Sequence, residues 1–125
     1  MKQEESKMQV ELFNLIRARG KTCEKWFVIH STPNGGHRTT TTAKKMKSEG
    51  VLAGVWDIKI PVQTEHYAGM FIEMKFGDNK LTEHQKLFRE KTDKANAGFK
   101  PFKWVVCYSH WEAYRKIENY LKGGL

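Results

Sequence analysis

Three residues in this chain have the types and spacing for chemistry at a phosphate. Asp57 closes the segment Gly54-Val55-Trp56-Asp57. Glu73 and Lys75 lie two positions apart within the apolar run Gly69-Met70-Phe71-Ile72-Glu73-Met74-Lys75-Phe76. A strand alternates faces with period two, so Glu73 and Lys75 project to one side while Met70, Ile72, Met74 and Phe76 project to the other. Two carboxylates and an ammonium beside apolar strands are costly to bury without a partner or a task. Metal-assisted phosphodiester hydrolysis uses all three. Magnesium or manganese takes oxygen ligands and keeps several waters, so one or two carboxylates and a substrate phosphate suffice. Asp57 and Glu73 are the candidate ligands, with the backbone carbonyl of Met74 as a third. Such a cation polarises the phosphate and acidifies a bound water. Lys75 could orient that water or stabilise charge developing on the phosphate. A strand-terminating Asp and a surface Glu-x-Lys ion pair would give the same letters, so context has to decide.

The elements that must hold these residues follow from periodicity. Residues 3–19 carry Met8, Leu12, Leu15 and Ile16 on one helical face, with Gly20 as a stop. Trp26-Phe27-Val28-Ile29 predicts a short strand, and Pro33-Asn34-Gly35-Gly36 a loop. A helix is expected over 39–49, although its consecutive threonines are poor helix formers. Strands over Val55–Ile60 and Met70–Phe76 have a link short enough for an antiparallel hairpin. Thr82-Glu83-His84-Gln85 matches a capping box at the start of a helix that runs to Ala97. Trp104–Tyr108 predicts another strand. Ser109-His110-Trp111-Glu112 matches a second capping box, opening a helix with Trp111, Tyr114, Ile117 and Leu121 in one stripe. The order α-β-α-β-β-α-β-α predicts an α/β domain, a mixed sheet flanked by helices.

A chain of 125 residues fits a single domain over 1–125. Its 22 Lys and Arg exceed 14 Asp and Glu, a formal net charge of +8 that favours a polyanionic partner such as nucleic acid. The two cysteines, Cys23 and Cys107, are far apart and read as reduced thiols of a cytoplasmic protein. No histidine spacing suggests zinc, and no apolar stretch has membrane-spanning length.

Several segments, in linked order, resemble the virus-type replication-repair nuclease (VRR-NUC) domains of the PD-(D/E)xK superfamily. They are Pro33-Asn34-Gly35-Gly36-His37-Arg38, Gly50-Val51-Leu52-Ala53-Gly54-Val55-Trp56-Asp57, Phe71-Ile72-Glu73-Met74-Lys75 and Leu81-Thr82-Glu83-His84-Gln85. The resemblance spans nearly the whole chain. It implies a restriction-endonuclease-like α-β-β-β-α-β core and a metal-dependent nuclease in which the Asp and Glu bind metal and the Lys assists attack. It further implies a stand-alone phage protein of the host cytoplasm, acting as a homodimer on branched DNA such as a Holliday junction or flap. The family pattern places an acid on the first helix, where this chain offers Glu4, Glu5 and Glu11. Glu5 falls near the middle of the face bearing Met8, Leu12 and Ile16, while Glu4 and Glu11 fall at its margin, so Glu5 is the expected site acid, directly or through water. The family also sets a glutamine near the catalytic lysine. Gln85 fits that place and the capping box equally. In the loop, glycines 35 and 36 allow close backbone approach to a phosphate, and Asn34 and Arg38 add donors. Lys44, Lys45 and Lys47 extend this candidate DNA surface. Activity on RNA or simple duplex DNA, and a non-catalytic binding module, are the alternatives.

Overall fold

The computed structural model describes residues 3–32 and 40–124. At its centre is a six-residue strand, β3 (Gly69–Met74), every residue of which is buried. That explains its nearly continuous apolar sequence. It pairs antiparallel with β2 (Ile58–Ile60), placing Ile58 opposite Ile72, Lys59 opposite Phe71 and Ile60 opposite Met70. On its other edge it pairs parallel with β4 (Phe102–Cys107). A parallel neighbour needs a crossover connection, and α4 (Glu83–Ala95) supplies it. A two-residue β1 (His30–Ser31) pairs antiparallel with β2, so the sheet order is β1-β2-β3-β4. The expected mixed sheet and hairpin are both present.

The two faces of the sheet are covered differently. Met70, Ile72 and Met74, with Ile58 and Ile60, share a core with Leu12 and Ile16 of α1 (Gln3–Gly20). Ala113, Ile117 and Tyr120 of α5 (His110–Leu121) complete it. On the opposite face Phe71 stacks on Trp104 at 4.6 Å, and Phe88 of α4 meets both rings edge-on. Odd-numbered positions of β3 therefore point to the α4 side, and Glu73 is one of them.

Three local expectations are corrected. Trp26–Ile29 is no strand: Glu24–Phe27 forms a turn of helix, α2, whose Trp26 and Phe27 amides bond the Cys23 carbonyl. Its burial follows a helical spacing, with Trp26 and Ile29 inside and Phe27 and Val28 exposed. α1 ends at Gly20 as expected, although Gly20 is not left-handed there. A Cβ there would lie 3.0 Å from the Phe27 backbone, so its missing side chain lets α2 pack close. On α5 the core stripe is Ala113, Ile117 and Tyr120, whereas Trp111 is exposed. Glu112 also bonds the Tyr108 amide and not that of Ser109, so only the Ser109 half of the second box forms. α3 spans Thr40–Ser48. Cys23 and Cys107 are free thiols. Among the described residues no helix is long and apolar enough to cross a membrane.

Candidate active site

Continuing the β2–β3 register by one step sets Asp57 directly across from Glu73. Regular strand pairing stops there because side chains take over the rungs. The Asp57 amide donates to Glu73 Oε1 at 3.0 Å, and the Met74 amide donates to Asp57 Oδ2 at 3.0 Å. On the other side the Thr32 amide donates to the Asp57 carbonyl at 2.9 Å, and the Thr32 hydroxyl to the Trp56 carbonyl at 3.0 Å. Asp57 is thus pinned from both flanks.

Lys75 and Gln85 converge on one oxygen of Glu73. Lys75 Nζ lies 3.4 Å from Glu73 Oε2, and Gln85 Nε2 donates to the same atom at 2.8 Å. Gln85 also completes the predicted capping box: its Oε1 accepts the Thr82 amide at 2.9 Å, and its own amide donates to Thr82 Oγ1 at 3.1 Å. The two readings of Gln85 therefore coexist in one side chain, the carbonyl end capping α4 and the amide end holding Glu73. The start of α4 is fixed in turn by the Asp57 loop. Trp56 Nε1 donates to the Gln85 carbonyl at 3.0 Å. Gly54, at φ +88°, packs so tightly that a Cβ would come within 2.2 Å of the His84 carbonyl oxygen.

Glu5 is buried as its helical position predicts. Its partners are protein donors: the Phe76 amide at 3.3 Å and Asn79 Nδ2 at 2.9 Å, both on Oε2. Its charge is felt at Asp57. Asp57, Glu73, Lys75 and Glu5 expose only 5, 3, 7 and 7% of their surface. They are the buried charged residues among those described.

Such crowding has an electrostatic cost. Burial pushes the Asp57 carboxyl above its ordinary range, and the Glu5 charge adds to this; the Met74 amide, Glu73 and Lys75 pull it back. Burial and then the Asp57 charge push Glu73 up to about 8, against the pull of Lys75. The two acids sit across from each other, and burial together with their mutual repulsion favours the protonated form of both. Among the described residues no three His, Cys, Asp or Glu side chains gather as a metal cage. The side-chain oxygens that the fold sets face to face are those of the Asp57 and Glu73 carboxylates.

Lys44, Lys45 and Lys47 are exposed on α3. Asn34, Gly35, Gly36 and Arg38 lie outside the described residues. Thr32, Trp56 and Asn79 support the site but were not singled out from the sequence. Trp56, adjacent to Asp57 and far too large for an ordinary turn residue, was the one available signal.

No family profile and no curated protein matches the chain. A solved structure titled "VRR_NUC domain protein" does, at 25% identity and a TM-score of 0.68, covering 94% of this chain and 90% of that one. Similarity over almost the full length of both chains extends the resemblance carried by the sequence motifs to the whole fold. The chain is a VRR-NUC-like domain with a nuclease-type fold.

Proposed function

We propose that this domain is a magnesium- or manganese-dependent endonuclease that hydrolyses phosphodiester bonds in branched DNA and works as a homodimer. The observation that carries the reading is the buried Asp57–Glu73 pair, cross-bonded to each other's backbone, with Lys75 Nζ 3.4 Å from Glu73. Two facing carboxylates that repel each other fit a hard divalent cation, which satisfies both where a proton satisfies one. When bound, the cation polarises the scissile phosphate and supplies a nucleophilic water near neutral pH.

The chain's own residues do the rest. Asp57 and Glu73 would hold the cation through their carboxylates, whose rotamers the backbone amides of Asp57 and Met74 fix. Gln85 stops Glu73 from swinging away by its 2.8 Å bond. Lys75 is left to hold the water or to donate to a phosphate oxygen as negative charge grows there. Glu5, tied to Phe76 and Asn79, adds negative potential that favours the cation. The net charge of +8 supports phosphate binding without reading sequence. Preference for branches rests on the family resemblance, and a dimer would let so small a domain contact two arms.

The test incubates labelled duplex, flap, four-way-junction and single-stranded DNA with Mg²⁺, Mn²⁺ or EDTA. Wild type is run beside Asp57→Ala and Lys75→Ala. Metal-dependent cutting lost in both variants supports the reading, while cutting that persists in EDTA or in both variants rejects it. Equal cutting of all substrates removes only the branch preference, and sedimentation as a monomer on DNA removes only the dimer.

A further inference from the structure

Beside Glu5, the end of the sheet carries side chains that the cleavage reading leaves unused. Phe76, immediately after Lys75, is 46% exposed, and past β4 come Tyr108 at 43% and Trp111 at 54%. Tyr108 and Phe76 are linked to the acidic end of the sheet. Tyr108 Oη donates to the Asn79 carbonyl at 3.3 Å, Asn79 Nδ2 donates to Glu5 Oε2, and the Phe76 amide donates to that same oxygen. Large exposed apolar groups are ordinary when scattered and informative when gathered.

Trp111 shares a surface concavity with Ser109, Glu112, Arg115 and Lys116. Arg115 and Lys116 are exposed and form no ion pair among the described residues. The carboxylate of Glu112 is already engaged by the Tyr108 amide at 2.7 Å. The concavity thus pairs an indole with two cations against one anion that is turned to the Tyr108 amide. On such a composition unpaired bases stack while their phosphates meet net positive charge. Two copies of a chain of net charge +8 would bring those cations against each other, so the charge favours a polyanion over a second copy.

We propose that Trp111, Arg115 and Lys116 form a shelf for unpaired nucleotides of the DNA being cut. The claim that the shelf serves cleavage rests on the nuclease reading. Its binding of single strands does not.

The experiment measures fluorescence anisotropy of labelled oligo(dT) and of a duplex of equal length with the full chain in EDTA, so that nothing is cut. Trp111→Ala is expected to weaken oligo(dT) binding by roughly tenfold or more and duplex binding by less than about threefold, with Trp111→Phe retaining most of the affinity. Arg115→Ala with Lys116→Ala is expected to reduce the salt slope for oligo(dT) by roughly 1.4, the value for two phosphates. Circular dichroism checks that each variant is folded. Wild-type oligo(dT) affinity in Trp111→Ala, together with an unchanged salt slope in the double variant, overturns the proposal. So does a wild-type dimer that Trp111→Ala splits, losing oligo(dT) affinity only through that dissociation, which makes the face an interface between copies. If wild type cuts no substrate yet shows Trp111-dependent oligo(dT) binding, the nuclease reading fails and the shelf stands.

Discussion

Replacing Asp57 by Asn should make the metal-free protein more stable at alkaline pH while removing its chemistry. Glu73 titrates at about 8 in the folded protein, against an ordinary value of 4.5. A group whose pKa rises on folding contributes stability that is fully present below its unfolded pKa. That stability is lost as pH climbs through the folded value. At roughly 1.4 kcal/mol per pH unit, the gap bounds the loss at about 5 kcal/mol. Because Asp57 and Glu73 titrate as a pair, a measured loss of about 2–4 kcal/mol is expected. For a domain of this size that corresponds to a fall in Tm of roughly 6–20 °C. An Asn at 57 can accept the Met74 amide with its oxygen and face Glu73 with a neutral amide, removing one of the two opposed charges. The assay is thermal unfolding in EDTA at about pH 5, 6.5 and 8.5, read as variant minus wild type so that titration elsewhere cancels. The difference should be near zero at the acid end and favour the variant at the alkaline end by about 1–2 kcal/mol, the part owed to the Asp57 charge, because the burial of Glu73 persists in both proteins. Added Mg²⁺ should stabilise wild type at the alkaline end and leave Asp57→Asn unchanged. Parallel curves for the two proteins, or a wild type that is the more stable at high pH, would refute the reasoning.

Three further substitutions separate the site's supports. Gln85→Glu keeps the carbonyl that caps α4 but sets a second charge against Glu73 Oε2; cleavage near neutral pH should fall about tenfold or more while Tm at low pH moves by less than about 3 °C. An unaltered cleavage rate would show that the amide end of Gln85 is idle. Gly54→Ala puts a methyl 2.2 Å from the His84 carbonyl at a φ of +88°, and urea unfolding should show a loss of about 2–4 kcal/mol. A loss under about 0.5 kcal/mol would mean the loop and α4 are not locked together. Trp56→Phe leaves the Gln85 carbonyl without its indole donor; a cost of about 1–3 kcal/mol in the same assay is expected, and a neutral result would deny that bond any role.

The trio was readable because β3 is buried on both faces. In such a strand Glu73 and Lys75 stand out against apolar neighbours, and period two puts them together. Glu5 was readable for the same reason on a helix, since a carboxylate in the middle of an apolar stripe stands out. Its partners were not: Phe76 and Asn79 are more than seventy residues away, and only tertiary structure brings them near. Trp26–Ile29 failed because a short apolar run carries no period long enough to separate strand from helical turn. The start of β2 falls three residues later than Val55, at Ile58, because Asp57 replaces a backbone rung with its side chain, which strand propensity cannot register. Spacing groups Trp111 with Tyr114, Ile117 and Leu121, whereas the fully buried stripe runs through Ala113, Ile117 and Tyr120, because apolar residues lie on both stripes and spacing alone does not rank them.

The exchange of rungs between Asp57 and Glu73 gives the protein a native gauge. The amides of Asp57 and Met74 are sheltered from solvent by carboxylates, while that of Ile72, further along β3, belongs to the ordinary sheet. Their deuterium exchange and NMR shifts must therefore follow the charge on the acids. Two backbone positions report proton loss or cation arrival without label, substrate or turnover, and their neighbours serve as the internal standard.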